Sequence, residues 1–182
     1  MKQKGGFSLI ELMVAVGILI LINTMIFAKY PEFSQKMALK RTSEEIALIA
    51  RQAQAYSMGI KRPASGGDDY FGFGIHFDKN SSKSFVLFAD SDSDKAYDKN
   101  KGELFQEFKI STGDYFSELE TCDSSDTCSK AIILDVVYPR ASSMAVINND
   151  NSSSYARVTI KSPSGDKEKK IKIWISGQIS VE

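Results

Sequence analysis

Residues 7–28, FSLIELMVAVGILILINTMIFA, form one apolar run of 22 residues. As a helix rising 1.5 Å per residue they extend over about 33 Å, the thickness of one hydrocarbon core. Such a segment needs an apolar environment, and this constrains the chain more than any other feature. Lys2 and Lys4 precede the run, and positive charge tends to stay on the cytoplasmic side. The bulk of the chain is therefore expected on the outer side. One residue fits this picture poorly. Glu11 carries a carboxylate into the run, which costs several kcal/mol unless the group lies near an interface or is paired.

Three readings compete. An ordinary cleaved signal has a shorter apolar region and then small residues of A-x-A type. NTMIFAKYPEF, residues 23–33, offers no convincing site. A plain membrane anchor accounts for the length and leaves Glu11 unexplained. In the third reading the leader is cut between Gly6 and Phe7. The new terminal ammonium of one copy then pairs with Glu11 of a neighbour, and the charge is satisfied only in an assembly.

KGGFSLIELMVAVGILILI, residues 4–22, closely resembles the class III signal of type IV pilins and type II secretion pseudopilins. That pattern is a short basic leader ending in Gly, then Phe, then Glu as the fifth mature residue inside an apolar helix. The resemblance implies that Gly6 is the prepilin peptidase recognition residue, that Phe7 becomes the N-methylated terminus and that Glu11 sets register in a filament. The implied partners are other pilin or pseudopilin subunits, the peptidase, an inner-membrane assembly platform and the lipid bilayer. The implied location is the inner membrane, single-pass, with the carboxy-terminal part extracytoplasmic, and then a filament. Family members often carry a proline where this chain has Ala28; here Pro31 takes that part, which would shift any helix kink.

Residues 32–58, EFSQKMALKRTSEEIALIARQAQAYSM, contain neither Gly nor Pro. Ile46, Ile49, Ala50, Ala53 and Tyr56 or Ser57 fall near one helical face, while Arg41, Glu44, Glu45 and Gln52 can face water. The helix is expected to continue to about Met58 and stop at Gly59, with Pro63 beyond. Its apolar stripe then needs a cover, and the rest of the chain is the candidate.

After the turn-rich PASGGDD the pattern becomes strand-like. The runs are 70–77, 84–89, 104–110, 131–138, 144–148, 155–161 and 170–176, with QISVE as a short last strand. Strands follow strands, so antiparallel pairing is expected. The fold class is α+β: a long amino-terminal helix, transmembrane then amphipathic, packed on an antiparallel β-sheet or small β-sandwich. The expected divisions are a leader at 1–6, a membrane or filament-core helix at 7–28, an amphipathic continuation at 29–60 and a β domain at 65–182. This layout resembles pilin-like proteins, and ALIARQAQAYSMG before a β domain resembles the GspH/FimT group of minor pseudopilins.

Composition narrows the function. Hydrophobic residues make up 42% and charged residues 25%, with a formal net charge of zero, so no global basic field points to nucleic acid. Cys122 and Cys128 are spaced C-x5-C, neither a zinc knuckle nor a redox C-x-x-C. In an exported domain a disulfide closing a small loop is the natural reading, against two free thiols.

In FADSDSDKAYDKNKGELF, residues 88–105, Asp90, Asp92, Asp94 and Asp98 occupy positions 1, 3, 5 and 9 of a calcium-type loop, with the Ala96 carbonyl at position 7. Against this, position 6 is Lys95 rather than Gly and position 12 is Lys101 rather than Glu, though Glu103 lies within reach. The alternative is a solvated acidic loop balanced by Lys95, Lys99 and Lys101. No cofactor is required on this reading, and calcium is a candidate.

No catalytic constellation emerges. The single histidine, His76, sits in a strand-like run. GFGIH has alternating glycines without the helix of a dinucleotide fingerprint. Trp174 reads as packing. Lys167, Lys169, Lys170 and Lys172 could touch phosphate, but the end SGQISVE lacks the arginine of DNA-binding relatives, and nucleic acid is not expected as a partner. The leading expectation is a structural filament subunit, not an enzyme. The alternative is a membrane-anchored extracytoplasmic binding module for DNA or another ligand.

Overall fold

A computed structural model describes residues 6, 8–60, 70–150 and 152–182. It divides into two compact units, Met1–Met37 and Ala38–Glu182. Helix α1, Leu9–Ala55, supplies the first unit and continues into the second. In the first unit the apolar side chains from Leu9 to Phe33 that are described stand exposed. Among the described residues α1 is the one helix long and apolar enough to cross a membrane. Pro31 lies inside it, where it removes the N–H that would otherwise bond the Phe27 carbonyl.

In the second unit α1 turns Leu39, Ile46, Ile49, Ala50 and Ala53 into the core, while Arg41, Glu44 and Glu45 face water. The periodicity thus predicted most of the buried face; Gln52, expected in water, is half-buried and donates to the Tyr56 hydroxyl. Small Ala47, Ala50 and Ala53 let the backbone approach the sheets closely. The helix closes with a wider turn over Tyr56–Ile60, in which Gly59 takes φ 95. That left-handed conformation suits glycine at a helix end.

The β strands form two five-stranded antiparallel sheets among the described residues. The first orders β3 (Leu104–Lys109), β2 (Ser84–Asp90), β1 (Gly72–Asp78), β6 (Ile133–Pro139) and β7 (Val146–Ile147). The second orders β10 (Ile179–Val181), β9 (Glu168–Trp174), β8 (Tyr155–Lys161), β4 (Tyr115–Cys122) and β5 (Cys128–Ala131). Both sheets and α1 contribute to one apolar core, through Phe73, Ile75 and Phe77 of β1, Phe116 and Leu119 of β4, Val158 and Ile160 of β8, and Ile171 and Ile173 of β9. The arrangement is α+β, as the strand-after-strand order implies.

Two strands escaped the sequence reading. β4 carries Phe116 and Leu119 into the core, three residues apart, because the register shifts between Phe116 and Glu118. A bulge inserts a residue and breaks the two-residue alternation by which strands are recognised. β5 is four residues long, too short to show a pattern. Conversely, 144–148 shrinks to Val146–Ile147, because Asn148 and Asn149 take φ 47 and 53 and turn the chain.

Candidate functional site

Of the cleavage pair, Gly6 is described and Phe7 lies outside the described residues, as do Lys2 and Lys4. Ser8 opens α1, its carbonyl accepting from the Glu11 and Leu12 amides at 3.1 and 3.2 Å. Within the apolar part of α1 three side chains are polar. Asn23 donates to the Leu19 carbonyl at 2.7 Å and Thr24 to the Ile20 carbonyl at 2.6 Å. Each therefore donates to its own helix, a pairing that lipid permits. Glu11 is different: among the described residues its carboxylate has no partner. Its place in the first turn favours a negative charge, but the reciprocal side-chain bonds of a capping box with Ser8 are not made.

In the second unit the helix is tied to the sheets by polar pins that the sequence did not reveal. Ser57, fully buried, donates to the Tyr138 carbonyl at 2.7 Å and accepts from the Phe73 amide at 2.9 Å. Thr42 donates to Asp114 at 2.7 Å, and Thr112 donates to the same oxygen at 2.6 Å. Gln54 reaches the Ser143 carbonyl at 2.8 Å. Thr42 and Ser57 were detectable only as positions on the buried helical face, since their partners are remote in sequence.

The acidic segment between β2 and β3 does not close all its carboxylates around one point. Asp90, Asp92 and Glu103 each bring an oxygen within 4.8 Å of the others. Asp92 also contacts the Lys101 ammonium, which lies 3.0 Å from Asp94 and 3.7 Å from Asp98. Burial holds the Asp90 carboxyl above the usual range, against the Ser93 and Asp92 amides that stabilise its charge. The Lys101 hydrogen bond holds Asp92 below it. Ala96 donates its amide to Asp94 at 2.9 Å. Lys95, where a glycine would ease the turn, takes φ 61.

On the outer face of the first sheet His76 meets Asp135 at 2.7 Å through Nδ1. The Tyr97 ring lies 4.8 Å from the imidazole. His76 is thus a strand residue with a buried partner. Two of the carboxy-terminal lysines stand beside acids: Lys170 lies 3.5 Å from Glu168 and Lys172 lies 3.0 Å from Glu182. Trp174 packs on Tyr155 with ring centres 5.7 Å apart.

Cys122 and Cys128 are joined in a disulfide that closes the β4–β5 hairpin. The turn is also held by Asp123, which accepts from the Ser125 and Thr127 amides at 2.8 and 2.9 Å. Replacing both cysteines by serine is expected to cost about 2 kcal/mol, the closure entropy of so short a loop, without loss of fold. Thermal unfolding of the two forms measures this, and free thiols in protein purified from its native compartment would refute the pairing.

Residues 1–22 match the family model described as the prokaryotic N-terminal methylation motif. No curated protein and no solved structure matches the chain.

Proposed function

We propose that this chain, whose amino terminus carries a type IV pilin-type processing motif, is a structural subunit of a pilus or of a type II secretion-like filament. Within that class we read it as a minor pilin or pseudopilin of the GspH/FimT kind. Residues 1–6 are the leader, removed by prepilin peptidase, and Phe7 becomes the methylated terminus. The apolar part of α1 anchors the subunit in the inner membrane with the β domain outside. It then passes into the core of a filament, so its apolar surface moves from lipid to protein without meeting water.

The observation that carries this reading is Glu11, unsatisfied among the described residues. Asn23 and Thr24 find partners in their own helix; the Glu11 carboxylate finds none among the described residues. A charge in an apolar environment needs a partner. The terminal ammonium of a neighbouring subunit is one of opposite sign, available only when the subunits are in register. A plain tether gives Glu11 no such task.

The test is the amino-terminal mass of the protein from its native membrane, beside a strain lacking prepilin peptidase. The expected result is a chain starting at methylated Phe7, with the leader retained in the mutant strain. A chain starting at Met1 in both would favour the anchored binding module. A cut near residue 28 would make the segment an ordinary signal peptide and end the filament reading.

A further inference from the structure

The carboxylates of residues 90–103 fall into two sets with different tasks. Asp90 and Glu103 are buried and spend their oxygens on the loop's own main chain. Asp90 accepts from the Ser93 and Asp92 amides at 2.7 and 3.3 Å. Glu103 accepts from the Ser91 amide and hydroxyl, both at 3.0 Å, and from the Asp98 amide at 2.9 Å. The outer set, Asp92, Asp94 and Asp98, converges on the Lys101 ammonium.

Counted from Asp90 as position 1, Lys101 is position 12. A calcium loop of this spacing places there the bidentate glutamate that grips the ion. The charges are equivalent: a doubly positive ion with its glutamate contributes one net positive charge, and so does a lysine. We propose that Lys101 is the built-in cation of this loop, a tethered ammonium in place of a metal ion and its glutamate, so that the loop is ordered without calcium.

The consequence reaches beyond the loop. Tyr97, between the two sets, packs against His76 and Phe88 with ring centres 4.8 and 5.4 Å apart. It helps to wall a cleft of about 350 Å³ on the outer face of the first sheet, with His76, Val86, Lys99 and Glu107 among the lining. Holding the loop therefore holds that wall. The mutual hydrogen bond agrees with this, lowering the Asp92 carboxyl and raising the Lys101 ammonium. A metal ion between Asp90, Asp92 and Glu103 would compete with Lys101 for Asp92, so the two arrangements are distinguishable.

The experiment is chymotryptic cleavage after Tyr97 in the full-length protein in detergent, with chelator, calcium or magnesium. The wild type is expected to be cut slowly, at a rate that changes less than about twofold between these conditions. Lys101→Met, which keeps the stem and loses the charge, is expected to be cut roughly tenfold faster, and Lys101→Arg near the wild-type rate. Calcium, and not magnesium, restoring protection to Lys101→Glu would support the equivalence directly. Wild-type protein cut rapidly in chelator and protected by calcium would overturn the proposal. So would Lys101→Met cut as slowly as the wild type.

Discussion

Glu11→Leu is expected to leave the protein in the membrane and to exclude it from the proposed filament. The leucine side chain is more at home in lipid than a carboxylate, so insertion and the folding of the β domain should be unchanged or improved. In the proposed assembly, what is lost is the partner of a neighbour's terminal ammonium. Leaving one charge of a buried pair uncompensated costs about 3–5 kcal/mol, so incorporation should fall by roughly two orders of magnitude or more. Glu11→Gln sharpens the experiment, because glutamine keeps the length and hydrogen-bonding capacity of the side chain at the head of α1. It should fail almost as badly if charge is what matters. The measurement is the ratio of subunit in sheared filaments to subunit in total membranes. Equal ratios for wild type and both variants would show that Glu11 serves only its own helix.

Gly72→Ala should destabilise the β domain by about 3 kcal/mol, near the upper end for adding one carbon to a packed interior. A Cβ at Gly72 would stand 2.3 Å from the Tyr138 carbonyl oxygen and 3.1 Å from the Pro139 Cα. Both atoms belong to the backbone of the neighbouring strand, paired to Gly72 in register, so no side-chain rotation relieves the clash. The strand itself must move. The same Tyr138 carbonyl accepts from Ser57, so that movement also strains the pin at the end of α1. Thermal unfolding should show a midpoint lower by roughly 10 °C. A drop below about 2 °C would mean that β6 yields more easily than its pairing suggests.

The alternating glycines of GFGIH illustrate how far the sequence could be read. Excluding a dinucleotide fingerprint took only the absence of a following helix. Their actual task, admitting the Tyr138 carbonyl beside Gly72 and the Phe88 ring beside Gly74, depends on which strands lie next to β1. β6 is more than fifty residues away in the chain. The same holds for β4, whose bulge hides its alternation. Its Glu118 and Glu120 have their partners in Lys130 and Arg157, at 2.6 and 2.8 Å, which only the strand pairing brings beside them. The acidic loop was legible as a cation-binding pattern. That an ammonium from position 12 lies among its outer carboxylates required the folded turn.

The sequence by itself determined the parts that rest on local periodicity and local chemistry. These are the apolar helix, the place where it stops, the face it buries, most of the strands, and the N-terminal methylation motif of residues 1–22. Each is fixed by neighbours a few residues apart, so a linear pattern carries it. Only the tertiary structure decided the pairing order of the two sheets, the pins from Thr42 and Ser57, the His76–Asp135 contact and the grouping of the acidic side chains. Those depend on residues distant in sequence being brought within hydrogen-bonding or van der Waals range, where burial makes an unmet polar group costly and selects one arrangement of partners.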